Sequence, residues 1–233
     1  MTEPAQPGWT LDAEERRVLG VLIEKGLATP EYYPMAQKAL LAGCNQRSNR
    51  DPITHLEESR LDDVLERLKE RGLVTSVLPS TGRVEGWRQD LGKRLELRGV
   101  ELAILGELFL RGPQSEGELR SRASRMRPIA GMDELRELLG GLRGRRLVRR
   151  LTPEGVQRGV RWAHGFYPAG EKPAGEADRA PERPSPGPAG SPNRPSGPTL
   201  QSAPTSQSDL ARRVAALESR VAELERRLRA PPA

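Results

Sequence analysis

The sequence predicts a mainly α fold with small β-hairpin wings. It is an α+β class arranged as two tandem winged-helix domains, a disordered Pro/Gly-rich linker and a C-terminal coiled-coil helix. Three observations predict it: a segment repeats within the chain, each copy reads as three helices and a hairpin, and composition changes sharply after residue 168. The expected division is 1–9 disordered N-terminus, 10–96 first winged-helix domain, 97–168 second, 169–208 disordered linker and 209–230 coiled-coil helix.

Glu15 to Gly26 (ERRVLGVLIEKG) aligns without gaps on Glu101 to Gly112 (ELAILGELFLRG) at an offset of 86 residues. Leu68 to Val74 aligns on Leu142 to Val148 at an offset of 74. The first copy therefore carries about twelve extra residues between the matched blocks. Leu11, Val18, Leu22 and Val100, Ile104, Leu108 have helical spacing, and Gly26 or Gly112 sits where a C-cap glycine is expected. Thr29-Pro30-Glu31 and Ser115-Glu116 supply turn or N-cap chemistry before a second short helix. The third helices carry Leu61, Val64, Leu65, Leu68 and Met132, Leu135, Leu138, Leu139, Leu142. Strand-like runs follow at Leu73 to Leu78 and Leu147 to Leu151, then a Pro/Gly turn, then returning strands at Val84 to Arg88 and Val160 to Phe166.

Residues 169–208 hold nine prolines and five glycines, with Leu200 the one hydrophobic residue larger than alanine. Such a segment cannot bury enough surface to offset its ordering entropy. Beyond it, Leu210, Val214, Leu217, Val221, Leu224 and Leu228 form a heptad seam with leucine at d and valine at the first two a positions. That choice favours two parallel strands, and Arg213 and Arg220 at g then face Glu218 and Glu225 at e of the other strand. A parallel homodimer through this helix is the expectation. The competing reading is an amphipathic helix docked on its own globular part or on another protein.

The strings Glu24-Lys25, Thr29-Pro30-Glu31-x-Tyr33-Pro34, Cys44-Asn-Gln-Arg-Ser-Asn-Arg50-x-Pro52 and Glu118-Leu-Arg-Ser-Arg-Ala123-x-Arg125-Met126 form a recognisable set. On them, the chain resembles the YceH family of uncharacterised bacterial proteins over about residues 10–168. The resemblance implies a tandem winged-helix fold and a cytoplasmic location. It brings no catalytic or ligand residues to transfer.

The formal net charge of +6 is unevenly placed. Residues 10–96 carry 14 basic and 15 acidic side chains, whereas residues 97–168 carry 14 basic and 8 acidic. Arg143, Arg145, Arg146, Arg149 and Arg150 fall within eight residues leading into the second wing, joined upstream by Arg120, Arg122, Arg125 and Arg127. Clusters of this kind neutralise phosphates in a salt-dependent, largely sequence-independent way, which makes these nine the nucleic-acid-binding candidates. The competing reading is a solvated face, since the chain is arginine-rich throughout. Base reading by the third helices is not expected, because their outward positions are Asp62, Asp63, Glu66, Glu70 and Asp133, Glu134, Glu137.

In the extra residues of the first copy, Asn45, Gln46, Arg47, Asn49 and Arg50 set amides and guanidinium groups side by side. They either hold a phosphate, a base or a partner's backbone, or satisfy the loop's own backbone through Asx turns. The sequence leaves the role of this Cys44–Pro52 loop open.

No enzymatic constellation is expected. With Cys44, His55 and His164 as the whole Cys/His complement, a zinc site lacks ligands at a recognised spacing, and no metal or cofactor is expected. Gly86 to Lys93 fails as a phosphate loop because five residues separate its glycines and Arg94 stands where Ser or Thr is needed. The longest apolar run, Val18 to Ile23 with Gly20 inside it, is far below the roughly 20 residues that span a bilayer. Met1 to Pro7 lacks the basic and apolar regions of a secretory signal, so a cytoplasmic protein is expected. The resulting expectation is a non-enzymatic dimer that binds DNA or other nucleic acid with weak sequence preference. The alternative is an adaptor whose winged helices bind protein partners.

Overall fold

Two consecutive stretches with almost no solvent exposure, Glu15 to Ile23 and Leu102 to Leu110, dictate the centre of the molecule. In the computed structural model, which describes residues 9–78 and 85–173, they lie in α1 (Ala13–Ala28) and α5 (Gly99–Arg111). The spacing predicts one apolar stripe on each. Both are instead buried on all sides over these stretches, because α1 and α5 pack on each other while smaller elements cover their remaining faces.

Each start is set by local chemistry. Asp12 accepts from the Glu15 N–H at 2.8 Å while Glu15 accepts from the Asp12 N–H at 2.9 Å, a reciprocal cap that satisfies two orphan donors. At α5 the Arg98 N–H donates to Glu101 at 2.8 Å.

The same element order then occurs twice around this pair. In the first half, β1 (Met35–Ala36) and α2 (Gln37–Cys44) are followed by α3 (Glu58–Glu70), β2 (Val74–Val77) and β3 (Gly86–Gln89). After a short α4 (Leu91–Arg94) and α5, the second half has β4 (Gln114–Ser115), α6 (Glu116–Ala123), α7 (Met132–Gly144), β5 (Val148–Arg150) and β6 (Arg161–His164). Both sheets are antiparallel and three-stranded, in the orders β1-β3-β2 and β4-β6-β5. Met35 pairs with Trp87 and Gln114 with Trp162, so each hairpin carries a tryptophan opposite the short first strand. The fold is therefore mixed α+β, with helices dominant and small sheets at the periphery. A single apolar core runs through both halves, and the described residues lie in one compact unit.

Three local expectations differ from the structure. β1 and β4 turn each expected hairpin into a three-stranded sheet, and two-residue strands have no period to read. Gly26 is not a cap: α1 runs on to Ala28, and Gly26 gives room to the Tyr33 ring, 3.2 Å from where a Cβ would stand. Gly112 does cap α5, at φ 69°. Thr29 to Tyr32 forms a 3-10 turn, and α2 begins only at Gln37. The coiled-coil seam, most of the linker and residues 1–8 lie outside the described residues.

Gly140 and Gly141 lie on the exposed side of α7, and nothing stands within 4 Å of where a Cβ would be. Each leaves the helix more conformational freedom to lose without easing any contact. Replacing both with alanine is expected to raise stability by about 1–2 kcal/mol in urea denaturation. A decrease would mean that α7 packs against something there.

Candidate functional site

The C-terminal part of the described chain folds back onto the start of α1. The Leu11 N–H donates to the Phe166 carbonyl at 2.9 Å, and Trp9 lies 5.0 Å from the Phe166 ring. Phe109 meets His164 and Phe166 edge-on at 5.3 and 5.6 Å, and His164 stacks on Tyr167 at 3.8 Å. Burial, then the charges of Arg16 and Arg149, push the His164 imidazole well below its usual pKa. Its Nδ1 accepts from the Phe166 N–H at 3.2 Å, as a neutral ring can. His164 is thus a packed, uncharged ring behind Tyr167.

The chain forms a depression of about 740 Å³ that Tyr167 helps to line. Arg143, Arg146, Arg149 and Arg150 line it, together with Tyr167 and Glu171. The guanidinium groups of Arg16 and Arg149 lie 4.9 and 5.2 Å from the Tyr167 ring centre, within cation–π range. Arg16 also donates to Glu171 and, at 2.7 Å, to the Leu11 carbonyl. Arg143 and Arg150 converge on one carboxylate, Glu154, at 2.6 and 2.8 Å. The Arg143 hydrogen bond and charge, then Arg150, hold the Glu154 carboxyl below the usual range.

Backbone geometry at the end of α7 places these side chains. The Arg146 N–H bonds to the Arg143 carbonyl and the Leu147 N–H to the Leu142 carbonyl, both at 2.9 Å, with Arg146 at φ 58°. The same turn ends α3, where Gly72 occupies the left-handed position at φ 65°. Glycine is the low-cost residue there and arginine is not. Gly165 forms part of the wall, and glycine is required there because any Cβ would run into the Arg146 carbonyl.

The structure thus brings four of the nine arginine candidates to one cavity and leaves five elsewhere. Arg145 donates to the Leu95 carbonyl. Arg127 donates to the Leu27 carbonyl at 3.1 Å, tying the second half to the first. Arg122 pairs with Glu118 at 3.3 Å and donates to Gln114 at 2.7 Å. Arg125 is exposed and Arg120 half-buried, and neither lines the depression. Arg16, Tyr167 and Glu171 carry no signal in the sequence, because they converge with the arginine run only in the folded chain.

The polar loop is closed by its own side chains. Asn45 donates to the Leu56 carbonyl at 2.8 Å and accepts from the Leu56 N–H at 2.7 Å. Gln46 donates to Ser48 at 3.0 Å, and Asn49 accepts from Arg111 on α5. Arg50 is fully enclosed and pairs with Glu24 at 2.6 Å, while Arg47 points to solvent. Burial raises the adjacent Cys44 thiol to about 12, so it remains protonated at neutral pH. The outward residues of α3 (Asp62, Asp63, Glu66, Glu70) and of α7 (Asp133, Glu137) are exposed, with Glu134 half-buried.

Among the described residues no group of three His, Cys, Asp or Glu side chains could hold a metal ion, and no helix is long and apolar enough to cross a membrane.

Comparison with known proteins places these features in a family. A family model described as "Protein of unknown function, DUF480" matches residues 11–157. A UPF0502 protein of Geobacter sulfurreducens is 44% identical over 217 residues, covering 92% of this chain and 90% of its own. UPF0502 proteins of Koribacter versatilis and Pseudomonas aeruginosa are 42% and 41% identical over 165 residues, each covering 70% of this chain and 77% or 74% of their own. On this match, which agrees with the motif strings quoted above, the chain belongs to the uncharacterised bacterial DUF480 family, also called UPF0502.

Proposed function

We propose that this is a non-enzymatic nucleic-acid-binding protein. In this reading the twice-repeated element order represents two winged-helix modules, and phosphate contact is made by the second. The observation that carries the proposal is the convergence of Arg143, Arg146, Arg149 and Arg150 at the junction of α7 and β5. The exposed carboxylates of α3 and α7 would repel a duplex, so recognition rests on backbone phosphate with little base reading. The same carboxylates support a second reading, in which the modules dock on a basic protein surface. The heptad seam at 210–228 would pair two such chains in parallel and double the phosphate-binding surface.

Fluorescence anisotropy of the full chain with a duplex DNA tests the first reading. If the four arginines each neutralise one phosphate, log affinity falls with log salt at a slope of roughly −3 to −4 for each chain that engages the duplex. Replacing all four with glutamine is expected to abolish binding, and replacing them with lysine to retain most of it. Binding that ignores salt, or no binding, favours the protein-docking reading. Deleting residues 209–233 is expected to halve the sedimenting mass and weaken DNA binding together.

A further inference from the structure

We propose that the arginine-lined depression is also a site for a small free polyanion of the pyrophosphate class, which competes there with nucleic acid. This goes beyond the phosphate-backbone reading, although it uses the same side chains. Three observations carry it.

The first is shape. A concavity of about 740 Å³ falls within the range of small-molecule sites, roughly 300–1,000 Å³. A duplex is a convex rod that engages a rim. Arg143, with half of its side chain exposed, can reach such a rod. Arg150 has 14% of its side chain exposed, and Arg146 and Arg149 are half-buried, so a duplex meets them through phosphates that dip into the depression, whereas a small anion that enters meets them directly.

The second is convergence. Arg143 and Arg150 already close on the two oxygens of one anion, the Glu154 carboxylate. Guanidinium groups arranged this way suit a phosphate oxygen pair equally well. Glu154 lies in the exposed turn between β5 and β6, outside the lining of the depression, so a phosphate that enters competes with it for the two arginines.

The third is strain at the position that supplies an arginine. The turn that ends α3 places glycine in the left-handed conformation, whereas the equivalent turn after α7 places Arg146 there. A residue held against its conformational preference, with its side chain on a cavity wall, is better explained by a task at that wall than by the turn.

Inorganic pyrophosphate is the probe, titrated into the full chain by isothermal calorimetry, with displacement of labelled duplex DNA read in parallel. The expected result is one pyrophosphate per chain, with affinity that weakens as salt rises. Arg146→Gly is expected to weaken pyrophosphate binding at least tenfold while the melting temperature stays level or rises by about 2–4 °C. Glu154→Gln, which removes the internal competitor, is expected to tighten binding about threefold to tenfold. Absence of pyrophosphate binding overturns the proposal, as does a fall in melting temperature for Arg146→Gly with affinity unchanged. DNA binding that persists without pyrophosphate binding or competition leaves the nucleic-acid reading standing alone. Pyrophosphate binding without DNA binding does the reverse.

Discussion

Arg50→Met is expected to lower stability by about 3 kcal/mol, a large part of the roughly 5–15 kcal/mol that holds a domain folded. The Arg50 side chain is fully buried. It donates to Glu24 at 2.6 and 3.3 Å, to the Gly43 carbonyl at 3.0 Å and to the Asn49 carbonyl at 2.9 Å. Removing it leaves the buried Gly43 carbonyl, the largely covered Glu24 carboxylate and the Asn49 carbonyl at the loop surface without their donor, and an unpaired buried group costs more than its hydrogen bond contributes. One effect works the other way. Arg17 is buried nearby, where it donates to the Leu110 carbonyl at 3.2 Å and to Pro52. Its pKa falls to about 10 through burial first and the charge of Arg50 second. Loss of Arg50 relieves that repulsion, which places the net cost near the lower end of the usual 3–5 kcal/mol.

Two companion variants separate these effects in urea denaturation. Arg50→Lys is expected to recover less than half of the loss, because a compact ammonium cannot reproduce a fork aimed at several acceptors. Adding Glu24→Gln to Arg50→Met is expected to restore part of it by removing the stranded charge. A cost under about 1 kcal/mol for Arg50→Met would sink the argument that this loop is held from within. The loop also holds the two halves together: the Asp51 N–H donates to the Leu110 carbonyl at the end of α5 at 2.9 Å, and Asn49 accepts from Arg111.

What the sequence made legible follows from period. The apolar positions of α3 and α7, and the carboxylates on their outer faces, are where helical spacing places them. Strands β2 and β5 are each shorter at both ends than their apolar runs, because Leu73 and Leu78, and Leu147 and Leu151, flank them instead of entering them. The arginine run is less legible. Five arginines in eight residues look like one patch, yet the chain turns through a left-handed residue at Arg146 in the middle of the run. Arg145 is thereby sent to Leu95 while its neighbours line the depression. One signal was available: in the repeat alignment, Arg146 stands opposite Gly72. Substitution of a turn glycine by arginine marks a position where the backbone's preference has been overridden. The polar loop carried no such signal, since burial of Arg50 depends on Glu24 and Gly43, which reach it only through tertiary packing.

Gly106→Val is expected to cost about 3 kcal/mol and to lower the melting temperature by roughly 6–12 °C. The reason lies in how the repeat packs on itself. A Cβ at Gly106 would stand 2.6 Å from Cγ2 of Ile23, and one at Gly20 would stand 2.9 Å from Leu110 and 3.2 Å from Cβ of Phe109. Gly20 and Gly106 correspond at the offset of 86 residues, and so do Ile23 and Phe109. Each glycine therefore meets the counterpart of the residue that meets the other, the signature of a two-fold contact between equivalent helices within one chain. Glycine in mid-helix costs about 1 kcal/mol relative to alanine, and here that cost permits close approach of α1 and α5. The two positions are not expected to respond equally. Ile23 is β-branched and stiff at χ1, whereas the nearest atoms to Gly20 are near the end of a more adaptable leucine side chain. Gly106→Ala should therefore destabilise more than Gly20→Ala, despite the same gain in helix propensity. Ile23→Ala in the Gly106→Val background provides the reciprocal test. If close approach is the cause, trimming Ile23 should recover part of the loss, although the same change in the unaltered protein costs roughly 2–5 kcal/mol as a core truncation. Simple addition of the two losses would instead place the glycine's role within its own helix.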